Sequence, residues 1–194
     1  MRKKGDQSTK KKIVSTAWRL FYEQGYDDTT IDDIVERSST SKGSFYHYFS
    51  GKDALLSSLS YLFDEKYEEL IDTFTPSMSS MDKLLYLNKE VFRLIEDTIS
   101  IELLAQLLSS QLTTKSEKHL LDHDRTYYKL LRSVILAGQQ AGEFSAEDSV
   151  NDIVKAYALY ERALMYDWCL CNGEYSLSAY SAKMLPMFLN GYRK

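Results

Sequence analysis

The sequence predicts an all-α fold, and three observations carry that expectation. Only 2 Pro and 8 Gly punctuate 194 residues, too few for the tight turns of an all-β chain. Apolar residues recur at helical spacing, as in Ile13, Ala17, Leu20 and Phe21. Capping-box spacing appears twice, at Thr30/Asp33 and Ser50/Asp53, where a hydroxyl and a carboxylate three residues apart satisfy each other's backbone amides. With 44% hydrophobic and 13% aromatic residues, the chain can fill a sizeable core.

About nine helices are predicted, in order. A basic arm leads into the first, which begins near Ile13 and closes at Gly25, a residue suited to the left-handed position past a helix end. The second is capped by Thr30, carries Ile31, Ile34 and Val35 inward, and stops at the polar run Ser38-Ser39-Thr40. A third, short helix capped by Ser41 contains Lys42 to Tyr48. The fourth starts near Gly51 or Lys52 and runs to about Phe74, before Thr75-Pro76. Longer segments follow at about 81–95, 98–112, 117–141, 146–171 (capped by Ser145) and 177–190. Pro186 is expected to kink the last of these or end it early. The run Ile153 to Cys171 is apolar on nearly every side, so it needs partners on two faces, one of them a second subunit.

The formal net charge of -4 argues at first against a nucleic-acid partner. It averages two unlike regions. Residues 1–52 hold 10 Lys+Arg against 7 Asp+Glu, a net of +3, whereas residues 53–194 hold 14 against 21, a net of -7. The basic residues cluster in the first twelve positions, which include Arg2, Lys3, Lys4, Lys10, Lys11 and Lys12. The expected division is therefore a first domain at 1–52, with its basic arm, and a second, acidic domain at 53–194. No early apolar run looks like a signal peptide, and none is long enough to span a bilayer. Two cysteines, Cys169 and Cys171, are too few for a disulfide framework. A soluble, cytoplasmic protein without membrane association is expected.

Two short helices joined by a polar turn, the second polar on its outer side and followed by a lysine, have the plan of a helix-turn-helix. The run Ile13 to Leu56 resembles the DNA-binding region of TetR/AcrR-type transcriptional regulators. The residues that carry the resemblance are Ala17, Leu20-Phe21, Gly25-Tyr26, Thr29-Thr30-Ile31, Ile34, Ser41-Lys42-Gly43-Ser44-Phe45-Tyr46, Phe49, Lys52 and Leu55-Leu56. The resemblance implies an N-terminal three-helix DNA-binding domain and a C-terminal helical domain for ligand binding and dimerisation. It places Lys42, Gly43 and Ser44 on the major-groove face, Tyr46 on a phosphate or thymine methyl, Lys52 on a backbone phosphate, and Thr30 at a helix start facing a phosphate. Ser41 and His47 complete the candidate DNA-binding set.

The residues support that allocation on their own. Phe45 and Phe49 are four apart and must face inward, which leaves Lys42, Ser44 and Tyr46 outward. Gly43 permits close approach, and a lysine at position 42 can donate to guanine O6 and N7. One departure stands out: where the family usually has Gly, this chain has Ser39, which must adopt a conformation that Gly reaches easily.

In the second domain, Tyr86, Phe92, Tyr127, Tyr128, Tyr157, Tyr160 and Trp168 can line a cavity, with Glu161 supplying a polar contact. His119 and His123, at i and i+4, would share one helix face, but no third metal ligand is evident and no metal or cofactor is expected. No phosphate loop or nucleophile elbow appears, so an enzyme is not expected. The expectation is a ligand-responsive repressor. It binds a palindromic double-stranded operator as a homodimer through the eighth and ninth predicted helices, at about 146–171 and 177–190, and is released by a small-molecule effector. The alternative is a ligand-binding or interaction protein of the same fold without specific DNA recognition, favoured by Ser39 and the net negative charge.

Overall fold

A computed structural model describes residues 4–56, 58–113 and 118–194. The described residues form α1 (Lys4–Gln24), α2 (Ile31–Arg37), α3 (Lys42–Tyr48), α4 (Lys52–Leu56), α5 (Leu59–Ile71), α6 (Ser80–Thr98), α7 (Ile101–Thr113), α8 (Thr126–Gln140), α9 (Val150–Leu170) and α10 (Leu177–Leu189). Two 3-10 turns, His119–Leu121 and Asn190–Tyr192, complete the helical elements. An isolated antiparallel bridge joins Phe144 and Arg193. The all-α expectation holds.

The chain divides into two compact units, Met1–Tyr61 with Glu102–Leu120, and Leu62–Ile101 with Leu121–Lys194. The first unit includes α7 from Glu102 onward. Within it, Ile13, Ala17, Leu20 and Phe21 of α1 form a buried stripe. Ile34 of α2 is buried as well, together with Phe45, Phe49, Leu55 and Leu56, while α1 packs on α2 and α3. In the second unit, α6 packs against α8 and α10, and α9 against α8 and α10. Leu84, Leu87, Phe92, Ile135, Ile153 and Leu185 lie in that core. Gly138 allows the approach of α8: a Cβ there would stand 2.4 Å from a ring carbon of Phe144 and 2.9 Å from Ser80 Cβ.

Several boundaries differ from expectation, each for a local reason. The basic arm is not a separate extension, because α1 begins at Lys4 and Lys10, Lys11 and Lys12 lie on it. Lys and Gln favour helix, and nothing after Gly5 interrupts it. Arg2 and Lys3 fall outside the described residues. The expected fourth helix is two, α4 and α5. Ser58 is buried and its hydroxyl bonds the Leu55 carbonyl, competing with helix continuation.

The helix expected from 117 begins only at Thr126, and residue 117 is outside the described set. Asp122 ends the preceding segment by accepting from the Asp124 amide at 2.9 Å. Ser149, not Ser145, caps α9, accepting from the Asp152 amide at 3.2 Å. Ser145 is instead held by its amide bond to the Tyr192 carbonyl at 2.8 Å, beside the Phe144 bridge. Pro186 does not end α10, which continues to Leu189. Ala182, four residues earlier, is exposed, so the carbonyl that loses its proline-blocked partner can reach water.

Candidate functional site

The first unit presents α3 through caps on both sides of the α2–α3 turn. At the start of α2 the Asp33 amide donates to Thr30 Oγ1 at 3.1 Å, and the Thr30 amide donates to Asp33 Oδ2 at 2.9 Å. The Thr30 hydroxyl and then the Thr30 amide, both donating to the carboxylate, hold the Asp33 carboxyl below its usual range. At the end of α2 the Thr40 amide donates to the Val35 carbonyl at 3.0 Å and the Ser39 amide to the Glu36 carbonyl at 3.1 Å. This is a Schellman motif, and Ser39 occupies its left-handed position with φ 52°. Ser38 and Thr40 join their hydroxyls across the turn at 2.8 Å.

Ser41 starts α3 by accepting the Ser44 amide at 3.0 Å. Phe45 is 0% exposed and Phe49 is buried, whereas Tyr46 is 55% exposed. Ser41, Lys42, Gly43 and His47 are exposed, and Ser44 is half-buried. The structure therefore brings Lys42, Gly43, Ser44, Tyr46 and His47 onto one short helix, with Thr30 exposed at the start of α2. An added Cβ at Gly43 would meet only Ser41 Oγ, at 3.7 Å, so that surface is open.

Two features of this surface were not foreseen. Lys42 pairs with Asp32 of α2 at 2.7 Å, and Asp32 raises the lysine's pKa by hydrogen bond and charge. Lys52 turns inward, donating to the carbonyls of Tyr26 at 2.6 Å, Thr29 at 3.0 Å and Asp27 at 3.3 Å. Its ammonium lies 4.2 Å from the Tyr26 ring centre, and the Tyr26 hydroxyl donates to Asp53. Burial and the Asp53 carboxylate push that phenol well above its ordinary range. Lys52, expected at a backbone phosphate, is bonded here to the α1–α2 loop. Both Gly25-Tyr26 and Lys52 stood in the motif, but nothing in their spacing shows that they meet.

In the second unit, six of the eight residues singled out as a cavity lining are buried, namely Phe92, Tyr127, Tyr128, Tyr157, Glu161 and Trp168. Glu161 accepts from Tyr127 Oη at 2.6 Å and Asn88 Nδ2 at 2.8 Å, and Ser181 Oγ donates to Asn88 Oδ1 at 2.6 Å. Burial raises the Glu161 carboxyl above its usual range, with these hydrogen bonds opposing it. Tyr157 donates to the Leu84 carbonyl at 2.9 Å, and Trp168 Nε1 to that of Tyr175 at 2.8 Å. Arg162 donates to Tyr128 Oη at 3.2 Å.

Tyr86 lies apart, against Phe74 and Thr73, and Tyr160 stacks on Phe188 at 5.0 Å. A half-open cavity of about 320 Å³ lies elsewhere, lined by Leu62, Phe63, Glu65, Lys66, Glu69, Leu94, Thr98 and Ile99. None of the eight lines it.

His119 and His123 do not share a helix face, because the first sits in a 3-10 turn and the second in the turn before α8. His123 packs on Tyr128 at 4.7 Å. Among the described residues, no three His, Cys, Asp or Glu side chains are grouped to hold a metal ion. Burial pushes the Cys169 thiol up to about 11, so it stays protonated at neutral pH.

Two capped short helices, with the second displayed over an aromatic anchor, define a helix-turn-helix protein carrying a helical second unit. Residues 13–59 match the family model for bacterial regulatory proteins, tetR family. That segment is similar to the DNA-binding region of the tetR family. The chain is 39% identical over 66 residues to the uncharacterised HTH-type transcriptional regulator YuxN of Bacillus subtilis, a stretch covering 34% of this chain and 23% of that protein. It is 44% identical over 46 residues to IcaR of Staphylococcus aureus, a negative transcriptional regulator of the biofilm operon icaADBC, covering 24% of this chain and 25% of that one. These matches span about a quarter of each relative's length.

The whole fold is similar to that of the transcriptional regulator FadR of Bacillus subtilis, solved with stearoyl-CoA (TM-score 0.73, 18% identity, 95% of this chain and 100% of that one). It is also similar to a tetR-family regulator of Pectobacterium atrosepticum (TM-score 0.74, 17% identity, 99% and 98%). Among the described residues, no helix is long and apolar enough to cross a membrane.

Proposed function

We propose that this chain is a cytoplasmic, ligand-responsive transcriptional repressor that binds a palindromic operator as a homodimer. The observation that carries the reading is the face of α3, where Lys42, Gly43, Ser44 and Tyr46 stand over buried Phe45 and Phe49. Such a helix fits the major groove, and Lys42 can donate to guanine. The capped start of α2 at Thr30 presents backbone amides and the favourable end of the helix dipole to a phosphate. Repression is supported by the likeness of the DNA-binding segment to the negative regulator IcaR.

Dimerisation is supported by an apolar stripe on α9. Leu159, Ala163, Tyr166 and Leu170 recur at helical spacing and are all exposed, Leu159 at 59% and Leu170 at 65%. Tyr180 and Met187 extend the apolar exposure onto α10. A dimer paired through these faces would carry two α3 helices, and successive major grooves lie about 34–36 Å apart. An effector that favours a different separation weakens binding. The cavity lined by Leu62, Phe63, Leu94 and Ile99 is the site offered for it. The stearoyl-CoA of the FadR structure, which has a similar fold, supports a ligand-binding role rather than an enzymatic one.

Selection from a random double-stranded library, followed by mobility shift, tests the reading. An enriched palindrome bound two chains at a time is expected, and recovery of no palindrome overturns it. One observation favours the alternative of a fold without specific recognition. The two lysines nearest the reading face are both bonded within the chain, Lys42 at the surface to Asp32 and Lys52 to the α1–α2 loop. The same selection separates the two readings.

A further inference from the structure

We propose that Lys52 is a positioning residue, a latch that fixes the first turn of α4 to the α1–α2 loop and thereby sets the entry of α2, and not a phosphate anchor. The inference rests on the DNA-binding reading for its consequence and on the first unit alone for its geometry. The carbonyls of residues 25 to 29 are all bonded. Gly25 accepts from Thr29 Oγ1 at 2.7 Å, and Asp28 accepts from Gln24 Nε2 at 3.1 Å. The remaining three, Tyr26, Asp27 and Thr29, converge on Lys52 Nζ.

An ammonium has three N–H donors, and three carbonyls use all of them. The Tyr26 ring covers the cation, and the Tyr26 hydroxyl closes a second bond to Asp53 on the same turn of α4. A phosphate contact would require giving up at least one of these bonds. Immediately after the last latched carbonyl comes Thr30, the cap of α2, so the latch ends where the helix-turn-helix begins. Movement of the first turn of α4 is therefore carried to the start of α2 through hydrogen bonds. The coupling does not pass through DNA.

Two variants of the full chain test this. Lys52→Gln removes the cation, whereas Tyr26→Phe removes only the bond to Asp53 and leaves every charge in place. Binding is measured against the duplex that the wild-type chain enriches from a random library, over a series of salt concentrations. Amide hydrogen exchange of residues 26–30 is measured on the free protein. The latch predicts binding about tenfold weaker for Lys52→Gln, the scale of one lost charge-assisted hydrogen bond, and a smaller loss for Tyr26→Phe.

It also predicts loop exchange about tenfold faster in both variants and an unchanged salt slope. A phosphate anchor would instead lower the slope by about 0.9 in Lys52→Gln and leave Tyr26→Phe with wild-type binding. Either that fall in slope or unchanged loop exchange overturns the proposal. If the wild-type chain enriches no duplex, the DNA-binding reading falls. The exchange experiment then still decides the latch, with faster exchange supporting it and unchanged exchange overturning it.

Discussion

Ser39→Gly should stabilise the first unit, and the size of the effect follows from one dihedral angle. Ser39 holds φ 52° in the Schellman turn that ends α2. An L-residue in that region loses roughly 1–2 kcal/mol to the contact between its Cβ and the carbonyl oxygen. Glycine escapes that contact but has more freedom to lose on folding, which returns about 0.5–1 kcal/mol. The net gain is about 0.5–1 kcal/mol, or roughly 1–4 °C in midpoint for a chain of this length.

The turn hydrogen bonds, from the Ser39 and Thr40 amides, are backbone bonds and survive the change. Gly25 provides the reciprocal experiment. It has φ +87° and nothing within 4 Å of an added Cβ, so Gly25→Ala should cost about 1 kcal/mol through the backbone alone. Thermal unfolding followed by Trp18 fluorescence in a Trp168→Phe background reports the unit that holds both positions, because Trp18 Nε1 donates to Ser58 within it at 3.0 Å. A lower midpoint for Ser39→Gly, or effects of the same sign at the two positions, refutes the reasoning.

Lys42→Ala should relax sequence preference at one base pair by about 1–3 kcal/mol, read from the enriched library. Asp32→Asn, which frees Lys42 from its partner, should strengthen binding to all duplexes alike at low salt. Leu159→Glu should shift the chain to a monomer in sedimentation, since it puts charge on the exposed apolar stripe of α9. Asp64→Ala should destabilise the second unit by about 3 kcal/mol in urea unfolding, because it leaves Arg125 buried without the carboxylate that holds Nε and Nη2 at 3.0 Å each.

Glu161→Gln should make stability less dependent on pH. Burial raises the folded carboxyl's pKa, so its favourable contribution is complete below the ordinary carboxylate range and is lost as pH rises through the raised value. The wild type therefore loses stability relative to the variant across that rise, and unfolding curves at a series of pH values check it.

What could be read in the sequence was what neighbouring residues decide among themselves. The capping box of Thr30 and Asp33, the start of α3 at Ser41, the inward pair Phe45 and Phe49 and the strained Ser39 are each set within a few residues, and each is found. The break between α4 and α5 was missed because it depends on a buried serine, and burial is decided by the rest of the fold. The start of α9 was misplaced for the same reason: Ser145 and Ser149 are both good caps by type, and the distant Arg193 strand pairing selects between them. Aromatic spacing in the second half identified residues that face inward but not whether space remains between them, since only packing distinguishes a filled core from a lined cavity.

The charge balance illustrates the same distinction at the candidate site. The local excess of +3 over residues 1–52 is a sum over formal charges, and it holds whatever the fold. What reaches a DNA phosphate or base is the part of that charge not already bonded within the chain. Lys42 faces Asp32, and Lys52 is enclosed by three carbonyls and the Tyr26 ring. The first pair is exposed, so water and salt screen it and DNA can exchange for Asp32 at little cost. The second cannot be exchanged without releasing the loop that precedes α2. One lysine is thus held by a bond that solvent can exchange and the other by bonds that secure the loop before α2, although their charges and their nearness in the sequence are alike.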